Sequence, residues 1–412
     1  MKLLFRLLIF FSFFTSFSIL NIPSAEWGLQ MSWFLALIIY IGYIFINKGN
    51  YRFPKNKNFK LISSYFIAIL ILTLLAWGGL YFDYIDTGEI DRSELMERSI
   101  PHLIYLIFDY LAYFHIVCFL HNQKDNSKNV RIFITYTFYF ITIWGFYQWL
   151  TTFNLLPYIT IFNNNASTGF TYLRFVHAHR TASIFPEPSE YAYYLAFMLP
   201  FVYIQWRYRK SKHYIYSAHP WLMSCFWIAA VLTCQSMSLF MTLPLMIIYI
   251  YSRYEKLTPH VIIGCIAGLL VITSSIIILA SDRINQIFLG EDGSALVRFQ
   301  AFIDSYTLFS NSPFLGVGFG AIRGLDLLGF LLSTTGLIGT IWFIILVFKL
   351  KVYSDLNLIF IQGFKAMLIV TLISNPIMDQ IFLWVIFAFI TVPLQTNNNE
   401  NRLRPNSIQS RC

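Results

Sequence analysis

Charge is scarce in this chain. Of its 412 residues only 12% are Asp, Glu, Lys or Arg, while 57% are hydrophobic and 19% aromatic, and the mean hydropathy is +0.60. A soluble domain of this length needs far more polar surface, so that class is excluded. Cysteine is scarce as well. Cys118, Cys225, Cys234 and Cys265 lie in apolar runs, Cys412 is the last residue, and none has CxxC spacing. Neither a disulfide framework nor a zinc site is indicated. The apolar runs lack the alternation of barrel strands, which leaves helices as the spanning element. The net charge of +9 would suit nucleic acid, but the placement of the basic residues accounts for it better, so no nucleic-acid partner is expected.

What the chain does have is a succession of apolar runs of about 18 residues or more. Met1 to Ala25 carries Lys2 and Arg6, an apolar stretch and Pro-Ser-Ala, the pattern of a cleavable signal peptide. The alternative is a retained first helix from about Leu4 to Leu20. Further spans are expected at about Leu29 to Ile46, Leu61 to Tyr81, His102 to Leu120, Ile132 to Thr152 and Pro188 to Trp206. Trp221 to Tyr251 reads as a tight helical pair turning near Gln235-Ser236-Met237-Ser238. The remaining spans are Val261 to Ala280, Leu327 to Phe348, Leu358 to Ser374 and Ile377 to Leu394, the last two joined at Asn375-Pro376.

The connections alternate in charge. NKGNYRFPKNKNFK has five Lys or Arg and no acid, whereas FDYIDTGEIDRSELMERSIP has six acids against Arg92 and Arg98. By this layout about 21 of the 29 Lys and Arg fall in cytoplasmic segments or at their edge, about 7 lie outside and Lys365 falls within a span. The expectation is therefore an all-α polytopic membrane protein, residues 1–412 forming a single integral membrane domain. It has about twelve transmembrane helices, both termini cytoplasmic, and two long outer loops at 153–190 and 281–325.

The first loop gathers charge that the flanking sequence lacks. Arg174, His177, His179, Arg180, Glu187 and Glu190 sit within 17 residues. Pro188, Ser189 and Glu190 are what a helix start needs. They leave the upstream cationic group unexplained. Arginines and histidines beside a membrane surface suit an anionic ligand, with Arg able to bind phosphate bidentately. Glu187 or Glu190 is a candidate general base, since a carboxylate near a low-dielectric boundary can have its pKa raised.

The second loop reads RFQAFIDSYTLFSNSPFLGVGFG from Arg298 to Gly320. Arg298, Asp304 and Tyr306 lie on a helix-like segment that Asn311-Ser312-Pro313 breaks. Gly316, Gly318 and Gly320 follow. No strand precedes them, so a dinucleotide fingerprint is set aside for a turn whose glycines permit close backbone approach. Arg298 is a second candidate for an anionic group, and Tyr306 and Arg323 are candidates for substrate contact. In the fourth span, His102, Asp109 and His115 read either as a proton relay, which would make a transporter, or as polar helix contacts. Lys365 is expected to snorkel.

Two pairings carry a family resemblance. Arg180…Phe185-Pro186-Glu187-Pro188-Ser189 enters a helix, and Arg298…Ser312-Pro313-Phe314-Leu315-Gly316-Val317-Gly318-Phe319-Gly320 lies in a later outer loop followed by Thr335-Gly336-Leu337-Ile338-Gly339. Together these resemble the O-antigen polymerase and ligase superfamily over most of the chain. The resemblance implies transfer of a glycan from undecaprenyl diphosphate at the periplasmic face of the bacterial inner membrane. The acceptor is a second lipid-linked repeat unit for polymerases and lipid A–core for ligases. Ligases carry His-Asn ahead of the later glycine motif. Here that place reads Leu325-Asp326 and the second loop has no histidine, which favours a polymerase. The implied partners are the lipid-linked donor and acceptor, the bilayer, and a chain-length regulator and flippase of the same pathway. No metal or other cofactor is expected, because the lipid diphosphate already stores the energy and arginines can stabilise the leaving group.

Overall fold

The computed structural model describes residues 2–22, 27–47, 53–88, 90–123, 126–159, 161–162, 180–207, 219–256, 258–260, 262–264, 266–268, 270, 274, 293–322, 324, 326–374, 378 and 380–394. Of the described residues, 75% are helical. In order, the described helices are α1 (Lys2–Phe11), α2 (Met31–Asn47), α3 (Lys57–Tyr81), α4 (Arg92–His121), α5 (Asn126–Thr151) and α6 (Pro188–Arg207). They continue with α7 (Pro220–Cys234), α8 (Met237–Tyr254), α9 (Gly293–Asn311), α10 (Leu327–Lys349), α11 (Asp355–Thr371) and α12 (Ile381–Thr391). Strands β1 (Ser18–Ile22) and β2 (Trp27–Gln30) form an antiparallel hairpin.

Among the described residues four helices, α3, α4, α5 and α10, are long and apolar enough to cross a membrane. Helices α7 and α12, and the Met31–Gly42 part of α2, are apolar but shorter. These helices mark a membrane-embedded protein. Several start on a side-chain cap. Asn56 accepts from Phe59 N–H at 2.9 Å, Asp326 from Gly329 N–H at 2.8 Å, and Ser354 from Asn357 N–H at 3.2 Å, each satisfying a backbone donor that a helix start leaves orphaned.

The centre of the bundle is α12, in which every residue from Ile381 to Thr391 is buried. A helix that is apolar all round belongs inside, and α12 is wrapped by α3, α4 and α11. Trp384 packs edge-on against Phe66, Tyr110 and Tyr113. Helix α6 lies against α7, α8 and α11. At the end of the bundle where α12 stops, four asparagines meet its last carbonyls. Asn357 donates to Phe389 O at 2.6 Å and Val392 O at 2.9 Å, Asn58 to Ile390 O at 3.1 Å, Asn56 to Thr391 O at 2.7 Å, and Asn126 to Pro393 O at 3.3 Å. These amides answer the carbonyls that a buried helix end leaves without partners.

The structure departs from the sequence expectation at several boundaries. Instead of running from Leu4 to Leu20, the first helix stops at Phe11, and Ser12 Oγ turns back to Leu8 O at 2.6 Å. The serines and threonine that follow lead into β1 rather than a longer span. Helix α4 begins at Arg92, not near His102, because Asp91 caps it and Leu95, Ser99 and Leu103 already face the interior. Pro101 is carried inside the helix, where burial outweighs one lost backbone bond. The helical pair of α7 and α8 is present, with Gln235 in the left-handed region at φ 46° making the turn. The span expected from Val261 to Ala280 falls largely outside the described residues. Lys365 lies over the Phe348 ring, 5.7 Å from its centroid.

Candidate active site

The second loop and α10 are built as one unit. Helix α10 is broken in mid-length at Gly336, whose φ of 62° and ψ of −169° leave the helical region. In an unbroken helix Leu337 and Ile338 would donate to Ser333 and Thr334. Instead Leu337 N–H donates to Pro313 O at 2.8 Å and Ile338 N–H to Phe314 O at 3.4 Å. The carbonyls of Ser333 and Thr334 accept from Val317 N–H at 2.9 Å and Gly318 N–H at 3.0 Å. Two helical bonds are thus exchanged for four bonds to the loop. Irregular backbone at membrane depth is tolerated only where protein covers it, and the Ser312–Phe319 segment provides that cover.

The glycines are what let the two chains approach. A Cβ on Gly316, at φ 69°, would lie 2.5 Å from Thr334 C and 2.7 Å from Ser333 O. A Cβ on Gly336 would overlap the Phe314 carbonyl. The hydroxyls of Ser333, Thr334 and Thr335 bond back to Gly329 O, Phe330 O and Leu331 O at 2.6–2.8 Å, which satisfies them inside the bundle and favours a bend in the turn before the break. On its other side the loop rests on α3 and α4. Ser99 Oγ donates to Phe319 O at 2.7 Å, Phe319 N–H donates to Thr73 Oγ1 at 3.2 Å, and Gly320 packs on His102.

The first loop is anchored separately, on α5 and α7. Thr181 N–H donates to Thr233 O at 3.1 Å, at the C-terminal end of α7, and Thr181 Oγ1 donates to Gln148 Oε1 at 3.0 Å. Gln148 of α5 in turn donates to Ser183 O at 2.7 Å, and Ser183 Oγ donates to Ile141 O at 2.6 Å. Ser183 sits at φ 54°, held by these bonds in a conformation a side-chain-bearing residue rarely adopts. Thr181, Ala182, Ser183, Ile184 and Phe185 are all buried, and the Phe185 ring faces Phe382 of α12. The segment leading into α6 is therefore a plug seated in the bundle, not a surface loop.

This frame places the residues singled out by sequence. Arg180 stands half-buried at the head of the plug, and at its other end stand half-buried Glu187, just before α6, and Glu190, in its first turn. Glu187 Oε2 accepts from Ser189 Oγ at 3.1 Å. The stretch from Arg180 to Glu190 thus holds one cation and two carboxylates at the rim of one buried segment. Tyr306 is exposed on α9. Arg298 belongs to α9 by its backbone. Arg174, His177, His179 and Arg323 lie outside the described residues. The contacts above seat the two motifs independently, the first on α5 and α7 and the second on α3, α4 and α10. Among the described residues no group of three His, Cys, Asp or Glu side chains is placed to hold a metal.

Sequence reasoning passed over Gln148, Thr181 and Ser183, which hold the plug. The available signal was a lone amide in the last turn of an apolar span. In the fourth-span cluster, Asp109 makes a contact between helices. Its Oδ1 accepts from Trp33 Nε1 of α2 at 2.8 Å, both groups being buried. No protein-family model matches the chain, and no curated protein matches it.

Proposed function

We propose that the chain is a polymerase of undecaprenyl-diphosphate-linked oligosaccharide repeat units, working at the periplasmic face of the bacterial inner membrane with both termini in the cytoplasm. The observation that supports this reading most is the joining of Ser312–Gly320 to the break at Gly336. The two later segments on which the family resemblance rests are one hydrogen-bonded unit, which is what a shared role for them requires. The first motif is likewise a fixed structure, a buried plug with Arg180, Glu187 and Glu190 at its rim.

In the proposed reaction a hydroxyl of the acceptor unit attacks the anomeric carbon of the donor glycan. The new C–O bond forms as the bond to diphosphate breaks, and the lipid diphosphate leaves with the electron pair. Arg180 and Arg298 stabilise the charge that develops on the diphosphate, and Glu187 or Glu190 takes the hydroxyl proton. Arg174, His177, His179 and Arg323 are assigned to substrate binding. A chain-length regulator and a flippase of the same pathway are the expected partners.

The test is a polysaccharide gel on a strain lacking the protein and complemented with variants. The null strain is expected to show a single repeat unit on lipid A–core. Arg180→Ala and Arg298→Ala are each expected to cut chain lengthening by about 10²–10³-fold while leaving membrane insertion intact. Arg180→Lys should rescue poorly, because a point charge cannot replace the planar fork. Normal chain length in both alanine variants would remove the site assignment. A bare core with long polymer left on the lipid carrier would make the protein a ligase instead.

A further inference from the structure

Helix α9 divides into three faces. At 3.6 residues per turn, Ser305, Leu308 and Ser312 just beyond its end share one side, and all are buried. Gln300, Asp304, Thr307 and Asn311 share a second, polar side, where Gln300 Nε2 donates to Asp304 Oδ1 at 2.7 Å. Phe299, Phe302, Ile303 and Tyr306 share the third, with the spacing i, i+3, i+4, i+7, and each is between 41% and 68% exposed. Four large apolar groups in a row on one exposed face need an occupant.

The anchoring of α9 fixes its height. Leu308 packs in a cluster with Leu80 of the last turn of α3, Leu95 of the first turn of α4, and Ile85 between them. With 30 residues, α4 is about 45 Å long, against a hydrocarbon core of roughly 30 Å, so its first turns pass beyond the acyl region. The base of α9 is therefore level with the membrane boundary. Beside it, Tyr81, Phe82 and Tyr84 are exposed at the end of α3, as in an interfacial aromatic belt. The lipid-facing side of the bundle continues onto it through α10, against which α9 packs and whose Leu328 is exposed, and through exposed Phe314.

We propose that α9 is an interfacial membrane helix, bedding Phe299, Phe302, Ile303 and Tyr306 into the headgroup–acyl boundary of the surrounding leaflet. Its polar side then faces water, and its buried side, with Ser305 and Leu308, holds it to the bundle. The proposal stands on membrane embedding and not on the reaction, and it gives Tyr306 a lipid contact in place of a substrate contact. The helix would hold the glycine loop at a fixed depth, since the loop follows it directly in the chain.

The test uses the full chain with Cys225, Cys265 and Cys412 replaced by alanine, the buried Cys118 and Cys234 being left in place. Phe302→Cys, Tyr306→Cys and Gln300→Cys are each labelled with the environment-sensitive fluorophore NBD. The proteins are reconstituted into phosphatidylcholine–phosphatidylglycerol vesicles with or without dibrominated lipid. Labels at 302 and 306 are expected to be quenched at least twofold more by brominated lipid than by aqueous iodide, and the label at 300 the reverse. Iodide quenching of all three alike would overturn the proposal, leaving a helix that faces water or soluble substrate. Quenching of 302 and 306 by neither agent would also overturn it, since protein, such as a second copy of the chain, would then cover the stripe.

Discussion

Asp109 shows how a buried carboxyl group can belong to the architecture. Its partner is the indole N–H of Trp33, and Tyr105 stacks on that indole with centroids 4.5 Å apart. Asp109→Asn keeps an acceptor for the indole, whereas Asp109→Leu leaves a buried donor without this bond, at a cost of about 1–3 kcal/mol. Thermal unfolding in detergent should rank wild type and Asn well above Leu, while a proton relay would make Asn as inactive as Leu. Asp91 offers a second residue-level test. Its carboxylate accepts from the backbone N–H and hydroxyl of Ser93, and these bonds hold its pKa below the ordinary value. A lowered folded pKa contributes stability above the unfolded value of about 4, which is lost as pH falls through the folded pKa. The drop in melting temperature between pH 5 and pH 3 should be smaller in Asp91→Asn than in wild type.

At the scale of elements, hydropathy reported where helices are and missed how they are interrupted. The run from Leu327 to Phe348 reads as one span, and α10 occupies nearly the same residues. Nothing in its hydropathy marks the break, because Thr334, Thr335 and Gly336 are small and their polar groups are bonded internally. The helix pair around Gln235 was legible because the apolar run is too long for one span. The start of α4 was not, because a capping Asp91 and buried Leu95 count for more than Pro101. In the first loop the charged residues were visible as a cluster. The plug that seats them was not, since Gln148, Thr181 and Ser183 look like ordinary polar residues until their partners are known. The break itself gives a prediction. Gly336→Ala forces a Cβ onto the Phe314 carbonyl at positive φ and is expected to cost about 2–4 kcal/mol. Gly329→Ala, whose Cβ would lie no nearer than 3.5 Å to Asp326 Oδ2, should be nearly neutral. Equal melting temperatures for the two variants would contradict the account of the break.

On the scale of the whole molecule, the two ends of the bundle are held by different means. One end is closed by the plug and the glycine loop. The other is closed by asparagines on the last carbonyls of α12. Asn357 is the most connected of these, since its Oδ1 also accepts from Ser354 Oγ at 2.7 Å and Leu394 N–H at 3.4 Å. Asn357→Leu is expected to lower stability by about 2–3 kcal/mol, and Asn357→Asp by more, because a carboxylate would face the same carbonyls without a donor. Thermal unfolding that ranks Asp above Leu would show that the carbonyls find other donors.

The exchange of bonds between α10 and the preceding loop has a consequence in time. The ribosome delivers Ser312–Phe319 before Ser333–Ile338. A broken helix released alone into lipid would carry four bare backbone groups, each costing several kcal/mol there. The segment that covers them is thus already made when α10 reaches the membrane. Alone in lipid the α10 segment keeps its backbone satisfied by staying a continuous helix, so chain order and membrane solvation together favour an assembly in which the break at Gly336 forms only as its partner seats against it.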